Sequence, residues 1–125
     1  MIFDTDVLLW VYREHGEALR LVIETRRTAI SVVTYMELAQ GAHDRGHLQR
    51  IRSMLDEYVI DQYPLTEDIG RRAAIYVEEH ALSARIGVTD ALIAATAVEH
   101  GMPLCTANVK HYRPIKDLVI RPFRP

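Results

Sequence analysis

The sequence predicts an α/β fold in which a central, mainly parallel sheet is flanked by helices. Two observations predict it: short apolar runs recur along the chain, and the segments between them carry apolar residues at helical spacing. A third is that polar residues directly follow the apolar runs, as expected where buried strands pass into helices. With 125 residues and 49% hydrophobic content, the chain can fill one core. We therefore expect a single domain over residues 1–125.

The first third of the chain contains two predicted strands and three predicted helices. Residues 2–3 are an apolar run that suits a strand covered on both faces, and the apolar surface of residues 7–12 is broad enough for a helix. Residues 17–26 again have apolar side chains at helical spacing. The apolar, β-branched run of residues 29–33 predicts the second strand. Residues 34–42 then carry their apolar side chains along one side of a helix.

The middle of the chain is mainly helical in the prediction. Residues 47–58 carry apolar side chains at offsets of three and four, which indicates an amphipathic helix. Residues 59–65 contain a short strand, ended by a proline. Residues 66–82 form a long helix, with Thr66 as its N-cap and acidic residues in its first turn.

The last part of the chain combines a nearly buried helix with two short strands. Residues 89–101 begin with a cap-like Thr-Asp pair, continue with a run in which only Thr96 is polar, and end at Gly101. They predict a core helix. Residues 103–106 and residues 118–120 form the remaining strands, and a basic tail follows.

Charge and cysteine content narrow the class of protein. The formal net charge of −2 is not that of a generally basic nucleic-acid-binding protein, although residues 110–125 carry five basic side chains and one acid. Cys105 is the single cysteine, so the chain has no internal disulfide, as expected in a reducing compartment. No apolar run approaches the length of a membrane span, and the chain begins directly with a predicted core strand. We expect a cytoplasmic protein.

Polar side chains occur at or near four predicted strand ends or helix starts. They are Asp4, Glu37, Asp90 and Asn108. Because strand ends and helix N-termini converge at one edge of a parallel sheet, we expect these side chains to meet there. Taken singly, Asp4 and Asp90 are also explained as helix-capping residues, and Glu37 as a solvated helix residue. Clustered carboxylates repel one another unless a cation neutralises them, and oxygen ligands favour Mg²⁺ or Mn²⁺.

Four sequence blocks surround these residues: IFDTDVLLW, SVVTYMELAQG, TDALIAATAVEHG and LCTANVKHY. In this order and spacing they resemble the PIN-domain ribonucleases, and specifically the VapC-type toxins of bacterial and archaeal toxin–antitoxin systems. The resemblance covers nearly the full length. It implies a Rossmann-like three-layer fold, an Mg²⁺- or Mn²⁺-dependent endoribonuclease, and inhibition by a cognate VapB-like antitoxin. A homodimer is expected as well.

The resemblance also assigns site residues position by position. Asp4, Glu37 and Asp90 match the three family acids that hold the metal. Thr106 matches a hydroxyl that helps to orient the site. Asn108 matches a fourth position that is aspartate in some relatives, so its neutral side chain removes one charge. These five residues are the predicted catalytic set.

Three other interpretations compete with this one. In a HAD phosphatase, Asp4 would be the nucleophile and Asp6 the acid/base, but that chemistry needs a lysine and a later acidic pair at strand ends, and no lysine precedes Lys110. In a receiver domain of two-component signalling, Asp61 would accept the phosphoryl group, but consecutive helices within residues 34–58 break the strict alternation of that fold. The third is a catalytically inactive PIN-like module that only binds RNA.

The amphipathic segment of residues 45–58 suggests where a partner protein docks. Its apolar side could offer a groove to an antitoxin helix or to a second copy of the chain, a common mode of recognition. The alternative is that this side packs in the core.

Overall fold

Five short strands form one sheet at the centre of the computed structural model, which describes all 125 residues. The strands are β1 (Ile2–Phe3), β2 (Ala29–Ser31), β3 (Asp61–Tyr63), β4 (Leu104–Thr106) and β5 (Ile120–Pro122). Their order across the sheet is β3-β2-β1-β4-β5, and every neighbouring pair is parallel. The first strand of the chain is therefore the middle strand of the sheet.

Seven helices connect and cover these strands. They are α1 (Thr5–Tyr12), α2 (Gly16–Glu24), α3 (Val32–Gln40), α4 (Arg45–Glu57), α5 (Glu67–Ala84), α6 (Val88–Glu99) and α7 (Val109–Tyr112). None of them is both long enough and apolar enough to cross a membrane.

The sheet separates two hydrophobic cores, because successive side chains of a strand point to opposite faces. Ile2 packs with residues of α5, α6 and α7, whereas Phe3 packs with residues of α1, α2 and α4. Leu104 and Cys105 divide between the two cores in the same way. The predicted three-layer α/β fold is thus confirmed, and the sheet is parallel throughout rather than only in its main part.

The boundary between β2 and α3 differs from the prediction. The Ser31 hydroxyl accepts a hydrogen bond from the Val33 backbone N–H (3.1 Å) and so caps a helix that begins at Val32. Two β-branched residues predicted to end the strand therefore form the first helical turn, because a local cap outweighs their strand preference. As a result Glu37 lies in the second turn of α3 and not in its first.

Three further boundaries were predicted wrongly, each for a local reason. The strand predicted over residues 59–65 shrinks to β3 because Val59 adopts a left-handed backbone (φ 52°), which interrupts an extended chain. Helix α6 begins one residue early with Gly87 as its N-cap, so Asp90 lies in its first turn and does not cap it. The last strand is shifted from residues 118–120 to β5, since Ile120 pairs with Leu104.

A polar network ties α5 to the segment before β5, far along the chain. The Tyr76 hydroxyl donates to Asp117 Oδ1 (2.9 Å), and Arg72 pairs with both Glu99 and Asp117. Burial raises the pKa of the Tyr76 phenol to about 12. The neighbouring Arg72 acts to lower this pKa, and the hydrogen bond to Asp117 acts to raise it. A surface pocket of about 570 Å³ lies beside this network and not at the carboxyl ends of β1 and β4.

Candidate active site

Asp4 lies at the centre of the sheet's carboxyl edge, directly after β1. Its backbone N–H donates to the carbonyl of Cys105 in the neighbouring strand β4 (2.9 Å). The Thr106 hydroxyl donates to Asp4 Oδ2 (2.8 Å), and the Thr5 N–H donates to Oδ1 (2.8 Å). Asp4 is only 7% exposed. The structure thus brings together two of the predicted site residues, Asp4 and Thr106, as neighbours on adjacent strands.

The Asp4 carboxyl is electrostatically costly in this position. Burial, and then the nearby Asp6 carboxylate, raise the pKa of Asp4 to about 6, although hydrogen bonds from Thr106, Thr5 and Tyr112 act in the opposite direction. Burial also raises the pKa of Asp6. A buried acid of this kind favours a proton or a cation as its partner.

Asp6 also lies at this edge of the sheet. Its Oδ2 accepts the Ala107 backbone N–H (3.1 Å) and lies 3.5 Å from the Thr106 hydroxyl. Its Oδ1 is buried and has no hydrogen-bond partner. Buried carboxylate oxygens are rarely left unpaired, so this atom is a free acceptor for a donor or a cation.

Glu37 is linked to the same edge by a hydrogen bond from Thr5, the first residue of α1. The Thr5 hydroxyl donates to Glu37 Oε1 (2.6 Å) and lies 3.2 Å from the hydroxyl of the buried Thr34. Thr5 thus links Glu37 to Asp4, because its hydroxyl donates to Glu37 while its backbone N–H donates to Asp4. Thr5 and Thr34 were not predicted as site residues, because a threonine at a helix start usually serves as a cap.

Asp90 lies against two consecutive residues of α7, of which only Tyr112 makes a hydrogen bond to it. The Tyr112 hydroxyl donates to Asp90 Oδ1 (3.1 Å), and His111 Nε2 lies 2.8 Å from Asp90 Oδ2. Tyr112 is completely buried. Burial, and then the Asp4 and Asp90 carboxylates, raise the pKa of the Tyr112 phenol well above its usual range. Tyr112 therefore lies beside two acids that come from different parts of the chain.

Asn108 follows β4 as expected but contributes chiefly through its backbone. Its N–H donates to the Thr106 hydroxyl (2.9 Å), and its exposed side chain makes no capping hydrogen bond to α7. The hydroxyl of Thr106 thus accepts from Asn108 while it donates to Asp4, and this orients its proton toward the carboxylate.

The donor atoms suit a hard divalent cation, although they do not form a tight protein cage. No three His, Cys, Asp or Glu side chains of the chain are grouped closely enough to hold one ion. Mg²⁺, however, keeps several waters and is often bound through only one or two carboxylates. The buried Asp4 and the unpaired Oδ1 of Asp6 fit such a water-rich ion, because each lacks a compensating positive charge.

Comparison with known proteins identifies the family of the chain. The PIN-domain family profile matches residues 1–116. The chain belongs to the PIN-domain family. Ribonuclease VapC10 of Mycobacterium tuberculosis is 33% identical in an alignment of length 127, gaps included. The alignment covers 98% of this chain and 92% of that protein.

Solved structures give the same result for the fold of this PIN domain. A toxin-antitoxin complex from Klebsiella pneumoniae superposes with a TM-score of 0.81 at 29% identity, covering 99% of this chain and 98% of that one. VapBC-1 from nontypeable Haemophilus influenzae superposes with a TM-score of 0.79 at 27% identity, covering 98% of each chain. The resemblance seen in the sequence is thus confirmed, and the phosphatase and receiver-domain interpretations are set aside.

Proposed function

We propose that this PIN domain is an Mg²⁺- or Mn²⁺-dependent endoribonuclease toxin that a VapB-like antitoxin inhibits. The observation that carries the proposal is the buried Asp4 carboxylate, held by Thr106 at the carboxyl edge, in a chain that is 33% identical to a ribonuclease. A module that only binds RNA has no use for a buried acid with a raised pKa.

The proposed catalytic set is the one that the sequence predicted. Asp4, Glu37 and Asp90 would hold the cation, directly or through its waters, and Thr106 would hold the Asp4 carboxylate in place. When bound, such a cation activates a water molecule and stabilises the charge that develops on a phosphate. Asn108 would keep the Thr106 hydroxyl directed at Asp4 through its backbone N–H.

The RNA backbone would approach along α7. Lys110 and Arg113 are exposed on and just after this helix, and His111 and Tyr112 of the same helix contact Asp90. A cationic surface beside the carboxylate cluster would hold phosphates close to the acids without itself reading sequence.

The first test concerns the cation. Millimolar Mg²⁺ or Mn²⁺ is expected to raise the melting temperature, because an ion that binds only the folded protein stabilises it and also relieves repulsion between Asp4 and Asp6. The same ions should be required for cleavage of a single-stranded RNA. Melting is followed by differential scanning fluorimetry at constant ionic strength, with EDTA as reference. The exposed-site variant Asp68→Asn should respond like wild type, and identical melting with EDTA and with either metal would refute the cation site.

The expected antitoxin surface needs a correction. The apolar residues Ile51, Met54 and Leu55 of α4 are buried in the core, so that stripe is not free to bind a partner. A groove of about 350 Å³ between α1 and α4 remains open, lined among others by Tyr12 and Tyr58. We propose this groove as the place where an apolar antitoxin side chain docks.

Tyr58→Glu is expected to weaken antitoxin binding at least about tenfold, because a charge would have to be buried without a partner in the groove. Tyr58 is only half-buried, so the fold should survive. Isothermal titration calorimetry with the purified antitoxin measures the loss. Val119→Glu places the same charge at another exposed apolar position and serves as the control. Unchanged affinity of Tyr58→Glu would remove this groove from the interface.

The homodimer expected from the sequence also remains a proposal. Leu82 and Val88, at the end of α5 and the start of α6, are strongly exposed apolar side chains. Contact with a second copy would bury these exposed apolar side chains.

A further inference from the structure

Both oxygens of the Asp90 carboxylate face α7. Oδ1 accepts from the Tyr112 hydroxyl (3.1 Å), and Oδ2 lies 2.8 Å from His111 Nε2. Helix α7 directly follows Asn108, whose backbone is fixed to Thr106 at the end of β4. The orientation of Asp90 is therefore set by the same segment that orients Asp4.

Tyr112 differs from His111 in how firmly it is placed. Its side chain is fully buried and packs in the core formed by α5 and α6, whereas His111 is half-buried. A hydroxyl on a ring that cannot move gives a fixed reference point for its acceptor. That acceptor is a carboxylate oxygen, and hydrogen bonds to carboxylates are stronger than those between neutral groups.

We propose that Tyr112 is a positioning residue of the nuclease, whose hydroxyl holds the Asp90 carboxylate in the orientation that binds the catalytic cation. The inference rests on the proposed metal-dependent function. It assigns no contact between Tyr112 and RNA or the cation. Groups that orient metal-binding carboxylates commonly change affinity when removed, while the ligand itself stays in place.

Tyr112→Phe tests the proposal because it removes one oxygen atom and leaves the ring in the core. We expect Mn²⁺ affinity, measured as free Mn²⁺ by electron paramagnetic resonance, to fall about tenfold. Half-maximal RNA cleavage should shift to a correspondingly higher Mn²⁺ concentration, with a smaller change in kcat at saturating metal. Equal Mn²⁺ affinity of Tyr112→Phe and wild type would overturn the proposal.

Tyr76→Phe is the matched control. Tyr76 is also buried and also donates to an aspartate, Asp117, away from the site. Its variant should lose stability similarly but bind Mn²⁺ like wild type. If both variants lose the same Mn²⁺ affinity, the effect is general loosening and the proposal is wrong.

The double variant Asp90→Ala/Tyr112→Phe separates positioning from packing, because alanine removes the acceptor of the Tyr112 hydroxyl. If Tyr112 acts through Asp90, adding Tyr112→Phe to Asp90→Ala should cause no further loss of Mn²⁺ affinity. A further tenfold loss would contradict the proposal. Wild-type protein that binds no Mn²⁺ would refute the metal-dependent function itself, which is a different outcome from a Tyr112→Phe variant that binds normally.

Discussion

Asp90→Asn should lower the rate of RNA cleavage by at least about a hundredfold while the fold persists, because it removes one charge that would hold the cation. Asparagine is nearly isosteric and still offers an oxygen to the Tyr112 hydroxyl, so the core around α7 is kept. Cellular toxicity should fall together with cleavage. Cleavage of one RNA across a Mn²⁺ titration, with thermal unfolding of the same samples, measures both properties.

Glu37→Gln is expected to reduce cleavage in the same direction, and Asp68→Asn, at the exposed start of α5, should cleave like wild type. An Asp90→Asn protein with wild-type cleavage would show that the acid at the head of α6 has no part in the reaction. The proposed assignment of the carboxylates would then be wrong.

Asp4→Asn is expected to raise the stability of the metal-free protein and to abolish RNA cleavage. In the folded protein, burial and then Asp6 raise the pKa of Asp4 from 3.8 to about 6. The folded state therefore binds the proton more tightly than the unfolded state does. The contribution of Asp4 to the free energy of unfolding is therefore greatest below pH 4, and this contribution is lost as the pH rises to 6 and above. A pKa change of this size corresponds to about 3 kcal/mol of unfolding free energy.

Asparagine cannot ionise, so the metal-free Asp4→Asn variant is expected to be more stable than wild type at pH 7.5, by up to about 3 kcal/mol. The advantage should shrink as the pH falls through 6 toward 4, because folded wild-type Asp4 takes up its proton in this range. Urea unfolding with EDTA between pH 4.5 and pH 8 measures it, although RNA cleavage by this variant should be lost. A variant that is less stable than wild type at pH 7.5 would mean that the Thr106–Asp4 hydrogen bond outweighs the cost of burial.

The points where strands pass into helices could be read from the sequence because burial patterns and helix-favouring residues change together there. Asp4, Glu37, Asp90 and Asn108 were predicted in this way, whereas Thr106 was assigned only by the resemblance to the family. The hydrogen bond from the Thr5 hydroxyl to Glu37 depends on how α1 and α3 pack. Packing of two helices side by side has no signature in a single stretch of sequence.

The residues that the sequence did not reveal share one property: their role depends on a partner distant in sequence. Tyr112 looks like an ordinary core aromatic until α7 brings it to Asp90. The unpaired oxygen of Asp6 is apparent only once the Ala107 backbone occupies its other oxygen. The capping of α3 by Ser31 is a local feature and was missed for a different reason, because two valines favoured a longer strand.

The position of β1 in the middle of the sheet has a consequence for the order in which the protein is made. Ile2 pairs with β2, which is synthesised soon after it. The other neighbour of Ile2, Leu104, is synthesised about five to twenty seconds after Ile2 at ordinary rates of translation. Thr106, which holds Asp4, is 102 residues away along the chain. A nascent chain that stops before β4 therefore lacks the central strand pairing and the hydrogen bond to its buried acid. The proposed site is completed only by the last fifth of the chain, so incomplete chains that end before Thr106 contain Asp4 but lack the hydroxyl that donates to its carboxylate.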